Sequence, residues 1–199
     1  MKNVGITGGI GSGKSLVGRI FTSLGYRLYE ADARAKLLMI ENPRIVKGVK
    51  KLFGKESYGE DGSLNRAFIG KVVFNDQKKL QQLNAIVHPE TGRDYLEWVA
   101  ATPADYDKPF VLKEAAILYE SGAYKSTDAV LSVYAPQLLR IQRVMDRDQT
   151  PAAAVTARMD KQWSEWEKYR RADFTIINDG NHLLLPQIKA SIQFFSTRL

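Results

Sequence analysis

The sequence has no cysteine and only two histidines, His88 and His182, among its 199 residues. These counts exclude disulfide bonds, thiolate metal sites and a three-histidine zinc site. The sequence also lacks a long uncharged apolar run and an apolar stretch at its N-terminus, so we expect no membrane span, no membrane partner and no secretory signal. These absences suit a reducing compartment, and we expect a cytoplasmic location.

The composition is that of a globular protein with a positive net charge. Lys and Arg total 29 and Asp and Glu total 22, which gives +7, and 44% of the residues are hydrophobic. These values exclude collagen-like and wholly disordered chains, and the length suits one domain with insertions. The charge alone is compatible with a nucleic-acid surface or with a pocket for a polyanionic small molecule.

Short apolar segments alternate with helical patterns along the chain, which favours an α/β fold with a parallel sheet buried on both faces. The expected strands are residues 4–7, 26–31, 110–112, 130–134 and 174–177. Residues 33–108 contain helical patterns and no convincing strand, and Pro89 is expected to stop or kink a helix there. Residues 136–171 are helical, polar and rich in arginine, and a final helix covers residues 184–195.

Residues 8–15, Gly-Gly-Ile-Gly-Ser-Gly-Lys-Ser, fit the phosphate-binding pattern G-x-x-x-x-G-K-[ST] between a strand and a helix. Glycines allow the backbone N–H groups to form a nest for phosphates, and the helix N-terminus adds partial positive charge. Lys14 is then the cation for the β- and γ-phosphates, the Ser15 hydroxyl is a ligand of Mg²⁺, and the N–H groups of Ser15 and Leu16 are donors. The expected ATP site also includes Gly9, Gly11, Ser12 and Gly13.

Other features narrow the class of nucleotide-binding protein. No Asn-Lys-x-Asp tetrapeptide is present, which disfavours a guanine-specific switch. The expected strands at 110–112 and 130–134 do not end in the aspartate typical of motor ATPases. A phosphoryl-transfer enzyme needs a base for the acceptor hydroxyl, and Asp32 follows the second strand at the edge where the loop lies. The alternative role of Asp32 is an N-cap for the next helix, and Glu30 is either a support for Mg²⁺ or a solvated carboxylate.

Arg140, Arg143 and Arg147 recur every three or four residues and so share one helical face. A kinase needs mobile cations to neutralise the transferring phosphoryl group and a lid to exclude water. The alternatives are a solvated basic face and a local ion pair between Arg147 and Asp148.

With these residues in place, the chain resembles the dephospho-coenzyme A kinase family over nearly its whole length. The matching pieces are residues 6–15, Ala31-Asp32, Asp-Gly-Ser-Leu-Asn-Arg at 61–66, Val73-Phe74, Leu-Asn-Ala-Ile-Val-His-Pro at 83–89, Leu-Tyr-Glu at 118–120, Arg143, Arg147-Asp148, Gln162, Ala172-Asp173, Asn178 and Gly180. The loop is shared by many families, whereas Leu-Asn followed by His-Pro in a helical insertion is far more specific.

The resemblance implies a P-loop NTPase three-layer core, at about 1–32, 109–135 and 172–199, within a single kinase domain. It also implies a helical CoA-accepting insertion at about 33–108 and a helical lid at about 136–171. The implied activity is transfer of phosphate from ATP, with Mg²⁺, to the 3′-hydroxyl of dephospho-CoA, the last step of coenzyme A biosynthesis. We expect no nucleic-acid partner, and a monomer or weak oligomer.

The resemblance makes Asp32 the catalytic base, Arg143 a lid cation and Asn178 a neighbour of adenine. Arg66, Asn84 and His88 would contact the acceptor, although each also suits a structural role. Two positions depart from the family pattern: Glu30 replaces an aspartate, and Ala116 replaces a proline. The open alternatives are a kinase for another small alcohol or nucleoside and a basic ATPase stimulated by nucleic acid, which is disfavoured because no aromatic stacking motif accompanies the basic residues.

Overall fold

Five strands form one parallel sheet, and its order is β2-β3-β1-β4-β5 when the strands are numbered along the chain. The computed structural model describes residues 1–199. Its strands are β1 (Lys2–Thr7), β2 (Leu28–Glu30), β3 (Phe110–Glu114), β4 (Ala129–Tyr134) and β5 (Phe174–Ile177). The expectation of an α/β fold with a parallel sheet is confirmed, and β3 extends two residues beyond its expected end.

The chain divides into two compact units, one comprising Met1–Glu30 and Ala104–Leu199 and the other comprising Ala31–Pro103. The helices of the first unit are α1 (Lys14–Ser23), α6 (Gln137–Asp148), α7 (Ala152–Met159), α8 (Glu165–Arg171) and α9 (Leu184–Arg198). The second unit contains α2 (Ala31–Glu41), α3 (Pro43–Phe53), α4 (Arg66–Asn75) and α5 (Gln77–Ala100). No helix is both long enough and apolar enough to cross a membrane.

The main core of the first unit lies between the sheet and helices α1 and α9. Val17 and Phe21 of α1 and Ile188 and Phe195 of α9 are completely buried against strand residues such as Ile6. Their spacing of four and seven residues keeps each pair on one helical face. Burial of this face fixes the start of α1, and therefore the loop that precedes it.

The second unit has its own apolar core, and one of its helices continues through Pro89. Helix α5 is 24 residues long, so the expectation that Pro89 stops the helix is wrong, whereas the alternative expectation of a kink stays a prediction. An internal proline removes one backbone hydrogen bond and costs a helix about 3 kcal/mol. Leu83 and Val87 before the proline and Tyr95 after it are all buried, and their packing outweighs that loss.

The unit boundaries differ from the expected ones by a few residues. The second strand ends at Glu30 and helix α2 begins at Ala31, so Asp32 lies in the first helical turn and is not an N-cap. At the other boundary, the Tyr106 hydroxyl accepts a hydrogen bond from the Arg27 backbone and donates one to the Phe110 carbonyl. These bonds tie the segment before β3 to the first unit.

A completely buried lysine fixes helix α8 to the loop after β3. Lys168 Nζ lies 3.0 Å from Glu120 Oε1 and donates to the Ala116 carbonyl at 3.2 Å. Glu120 also accepts a hydrogen bond from the Trp163 backbone N–H. Because a buried charge without its partner is strongly destabilising, the Lys168–Glu120 pair holds α8 in place against this loop.

We expect Lys168→Met to lower the free energy of unfolding by about 3 kcal/mol, because Glu120 loses its cation. Chemical denaturation monitored by circular dichroism measures the change. Lys189→Met, which alters an exposed lysine of α9 in the same way, is the control and should be nearly neutral. Equal stability of the two variants would contradict the role given to the buried pair.

Candidate active site

The loop between β1 and α1 has the backbone of a phosphate-binding nest. Gly11 and Gly13 have φ values of 79° and 92°, which L-residues with side chains rarely adopt. The N–H groups of Gly11, Gly13, Lys14 and Ser15 donate to no other group of the protein. Four backbone donors at the positive end of a helix therefore remain for an anion. The N–H of Leu16, by contrast, donates to the Gly13 carbonyl.

The loop is held by Asn178, which directly follows β5 and which the family resemblance makes a neighbour of adenine. The Asn178 side-chain amide is buried and donates to the Ser12 carbonyl at 2.8 Å. A Cβ on Gly13 would collide with this amide nitrogen. The structure therefore brings Asn178 to the loop itself.

Glu114, at the end of β3, is a site residue that the sequence reading missed. Ser15 Oγ donates a hydrogen bond to Glu114 Oε1 at 2.9 Å, and Lys14 Nζ lies 3.9 Å from the same oxygen. Glu114 is buried and pairs in register with Glu30, which is exposed. The signal in the sequence is the Lys-Glu pair that directly follows the apolar run Phe-Val-Leu. Glu114 lies two residues beyond the expected strand end at 112, and aspartate is the residue type expected at such a strand end.

The three arginines of α6 have different partners. Arg143 Nη1 donates to the Asn178 carbonyl at 3.0 Å and to the Gly11 carbonyl at 3.5 Å, so it lies beside the loop. Arg147 makes the alternative local ion pair, with two hydrogen bonds to Asp148 of 2.7 and 3.0 Å. These bonds hold the pKa of the Asp148 carboxyl well below its usual range. The ATP contact expected of Arg147 stays a prediction.

Arg140 and two further side chains contact the first half of the loop. The Gly9 N–H donates to Glu165 Oε1, and the Ile10 N–H donates to Gln162 Oε1, both at 2.9 Å. The N–H of Gly9 is therefore engaged within the protein. Glu165 was not identified from the sequence, and nothing in its local pattern marks it, because its partner lies 156 residues away.

In the second unit, Asp32 and His88 interact electrostatically. Partial burial of the ring lowers the pKa of the His88 imidazole below its ordinary value, and the Asp32 carboxylate opposes this shift. Asn84 precedes His88 by one helical turn and so shares its face of α5. Arg66 begins α4, is exposed, and makes no side-chain hydrogen bond or ion pair.

The fold and the site are those of a kinase of the P-loop class. The phosphate-binding loop lies at the edge of a parallel sheet, a helical unit is inserted between β2 and β3, and a helical segment with arginines follows β4. The family model for dephospho-CoA kinase matches residues 2–183. The chain therefore belongs to the dephospho-CoA kinase family.

One curated relative and two solved structures are similar to the chain over nearly its whole length. The chain is 37% identical over 199 residues to a dephospho-CoA kinase of Porphyromonas gingivalis, covering 100% of this chain and 96% of the relative. The crystal structure of TT1252 from Thermus thermophilus has a TM-score of 0.83 and 33% identity, with 100% and 97% coverage. A dephospho-CoA kinase from Campylobacter jejuni has a TM-score of 0.70 and 28% identity, with 99% and 98% coverage.

We expect Gly13→Ala to weaken binding of a non-hydrolysable ATP analogue by at least about tenfold, or about 1.4 kcal/mol. The new Cβ both strains a positive φ and displaces the Asn178 amide that supports the loop. Gly122→Ala is the control, because its φ is also positive, at 75°, and nothing lies within 4 Å of an added Cβ. Calorimetric titration of both variants measures the affinities, and an equal loss in both would contradict this account.

Proposed function

We propose that this chain transfers the γ-phosphoryl group of ATP to the 3′-hydroxyl of dephospho-CoA and so produces ADP and coenzyme A. The observation that carries the proposal is the phosphate-binding loop, with Lys14, Ser15 and Glu114 in contact, in a chain that matches the dephospho-CoA kinase family over nearly its whole length. The loop supplies the ATP chemistry, and the family supplies the acceptor.

The donor side of the reaction depends on charge neutralisation in a fixed geometry. Phosphoryl transfer requires little covalent chemistry from the protein, so catalysis rests on positioning and on cations at the phosphate oxygens. The unengaged N–H groups of the loop hold the phosphates, and Lys14 neutralises the β- and γ-oxygens. Arg143 lies beside Gly11 and supplies a second cation, while Asn178 keeps the loop in shape.

The residues around Ser15 fit a magnesium ion. Mg²⁺ is usually held by one or two carboxylates, water and substrate phosphates, with no complete protein cage. The Ser15 hydroxyl and the buried Glu114 carboxylate lie 2.9 Å apart and are both oxygen donors. We assign them as the groups that would hold the ion, which when bound supplies positive charge at the phosphate oxygens.

The acceptor side is assigned to the second unit. Asp32 is an exposed carboxylate in the first turn of α2, so it is accessible to a substrate hydroxyl and able to take its proton. The charge of Asp32 acts on His88, which supports placing both at the acceptor. Asn84, on the same face of α5 as His88, and Arg66 at the start of α4 are assigned to contacts with the CoA moiety. We also assign Arg147 of α6 to a contact with ATP, as the sequence predicts.

The decisive experiment measures ADP release from ATP and Mg²⁺ with dephospho-CoA, adenosine, AMP, shikimate or gluconate as acceptor. We expect ADP only with dephospho-CoA, together with a product that gains a 3′-phosphate. Release with another acceptor would overturn the substrate assignment. Hydrolysis stimulated by DNA or RNA alone would overturn the kinase assignment.

In the same assay, Asp32→Asn should lower turnover by about a hundredfold or more, because the acceptor hydroxyl loses its base. The affinity for the ATP analogue should not change. Asp105→Asn, which alters an exposed aspartate in the same way, should retain full turnover. Near-normal turnover of Asp32→Asn would remove Asp32 from the base role.

Glu114→Gln should raise the Mg²⁺ concentration needed for half-maximal activity by about tenfold, because one anionic oxygen near Ser15 is lost. Titration of Mg²⁺ after chelation by EDTA measures the shift, and EDTA alone should abolish turnover. Glu60→Gln, at an exposed position of the second unit, is the control. An unchanged Mg²⁺ requirement would exclude Glu114 from the metal site.

A further inference from the structure

Three side chains of the segment after β4 enclose the first half of the phosphate loop. Glu165 and Gln162 accept the Gly9 and Ile10 N–H groups, and the Arg140 guanidinium lies against the same two residues. Gly9 allows this approach because a Cβ there would collide with Arg140 Nη1 and Glu165 Oε1. The arrangement is therefore built into the loop sequence.

Arg140 is buried with much of its donor capacity unused. Only 7% of the residue is exposed, and its Nε has no hydrogen-bond partner. Nη1 donates to the Ile10 carbonyl at 3.4 Å and lies 3.6 Å from Glu165 Oε1. A buried arginine normally binds a carboxylate or phosphate through two short parallel hydrogen bonds. The contacts here are long and do not use the planar fork of the guanidinium.

The Glu165 carboxylate occupies an environment suited to a phosphate oxygen. Burial raises its pKa, and three cations act against that rise: Arg140, Lys168 and Lys14. The Gly9 N–H adds a neutral donor. Lys168 is already paired with Glu120, and Lys14 belongs to the nucleotide site. Arg140 is therefore the cation that contacts both Glu165 and the first half of the loop.

We propose that the Glu165 carboxylate is an exchangeable internal anion that the terminal phosphate of ATP replaces on Arg140, which makes Arg140 a phosphate-contacting catalytic residue beside Lys14 and Arg143. The inference rests on the proposed function only in taking ATP as the phosphoryl donor. The proposal explains why Arg140 Nε has no partner and why the ion pair with Glu165 is long. A γ-phosphate would supply the two acceptor oxygens that the guanidinium lacks. Glu165 would thereby oppose binding of a triphosphate and leave a diphosphate unaffected.

Binding of ADP and of a non-hydrolysable ATP analogue separates the competing roles. Glu165→Gln keeps the oxygen that accepts from Gly9 and removes the competing charge. It should strengthen analogue binding by about tenfold, the effect of one charge-assisted contact, with ADP binding unchanged. Arg140→Gln should weaken analogue binding by a similar factor, leave ADP binding unchanged and lower kcat. In Arg140→Gln/Glu165→Gln, the second substitution should add nothing.

A purely structural clamp predicts a different result. Glu165→Gln would then weaken both nucleotides together, or Arg140→Gln would leave the ratio of analogue to ADP affinity unchanged, and either result overturns the proposal. Arg158→Gln is the control, because Arg158 belongs to the same segment and pairs with Asp148, but is exposed. It should leave the ratio at its original value.

Folding and lid position are followed in the same variants. Thermal unfolding identifies any variant that fails to fold. If a single variant fails, the affinities for the analogue and for ADP are compared in Arg140→Gln/Glu165→Gln and in Arg140→Lys, which keeps the charge but not the planar fork. Arg140→Lys should reduce the preference for the analogue over ADP, and retention of the full preference overturns the proposal. Trp163 and Trp166 flank Glu165, so in a Trp98→Phe background their fluorescence should change with the analogue and not with ADP.

This test fails separately from the acceptor assay. Nucleotide binding is measured with no acceptor present, so a wrong acceptor leaves the ratio of affinities interpretable. Conversely, an unchanged ratio overturns the role of Arg140 and Glu165 while phosphorylation of dephospho-CoA still proceeds.

Discussion

The structure depends on a group of backbone N–H groups without protein acceptors at the start of helix α1, whose inner face is buried. Unsatisfied donors near a protein interior are costly, so the loop that carries them must be held by its surroundings. Asn178 binds the Ser12 carbonyl, Arg143 binds the Gly11 carbonyl, and Glu165 and Gln162 bind the preceding N–H groups. The polar side chains around the loop thus bind its carbonyl groups and the N–H groups of Gly9 and Ile10. The N–H groups of Gly11 and of residues 13–15 are left for the nucleotide.

How far the sequence predicts the structure depends on the range of the interactions. The loop, its flanking strand and helix, and the parallel sheet follow from local patterns, and all are observed. Pro89 does not end α5, because its local penalty is smaller than the stabilisation from burial of the α5 face, which only the folded unit reveals. Glu165 and Asn178 reach the loop from more than 150 residues away, and no spacing rule encodes such a contact.

The acidic residues show the same limit at closer range. The sequence pattern predicts Asp32 at a strand end, whereas it lies in a helical turn, because β2 ends at Glu30 and α2 begins directly at Ala31. Glu114 lies two positions beyond the expected end of its strand, where it pairs with Glu30 and accepts a hydrogen bond from Ser15. The type of a site residue and its approximate position can be predicted from the sequence. The identity of the carboxylate that faces the phosphates depends on where the strands end, and the hydrophobic pattern defines these ends only to within a few residues.

The pairing of β1 has a consequence for how the protein is made. The strand that carries the loop is synthesised before its two neighbours in the sheet, which are residues 110–114 and 129–132. A ribosome releases the chain from its N-terminus at roughly 5–20 residues per second, so the loop leaves the exit tunnel well before either neighbour exists. A nascent chain that ends before residue 110 therefore lacks both strands that pair with β1, and the sheet edge that supports the loop forms only after residue 132 has emerged.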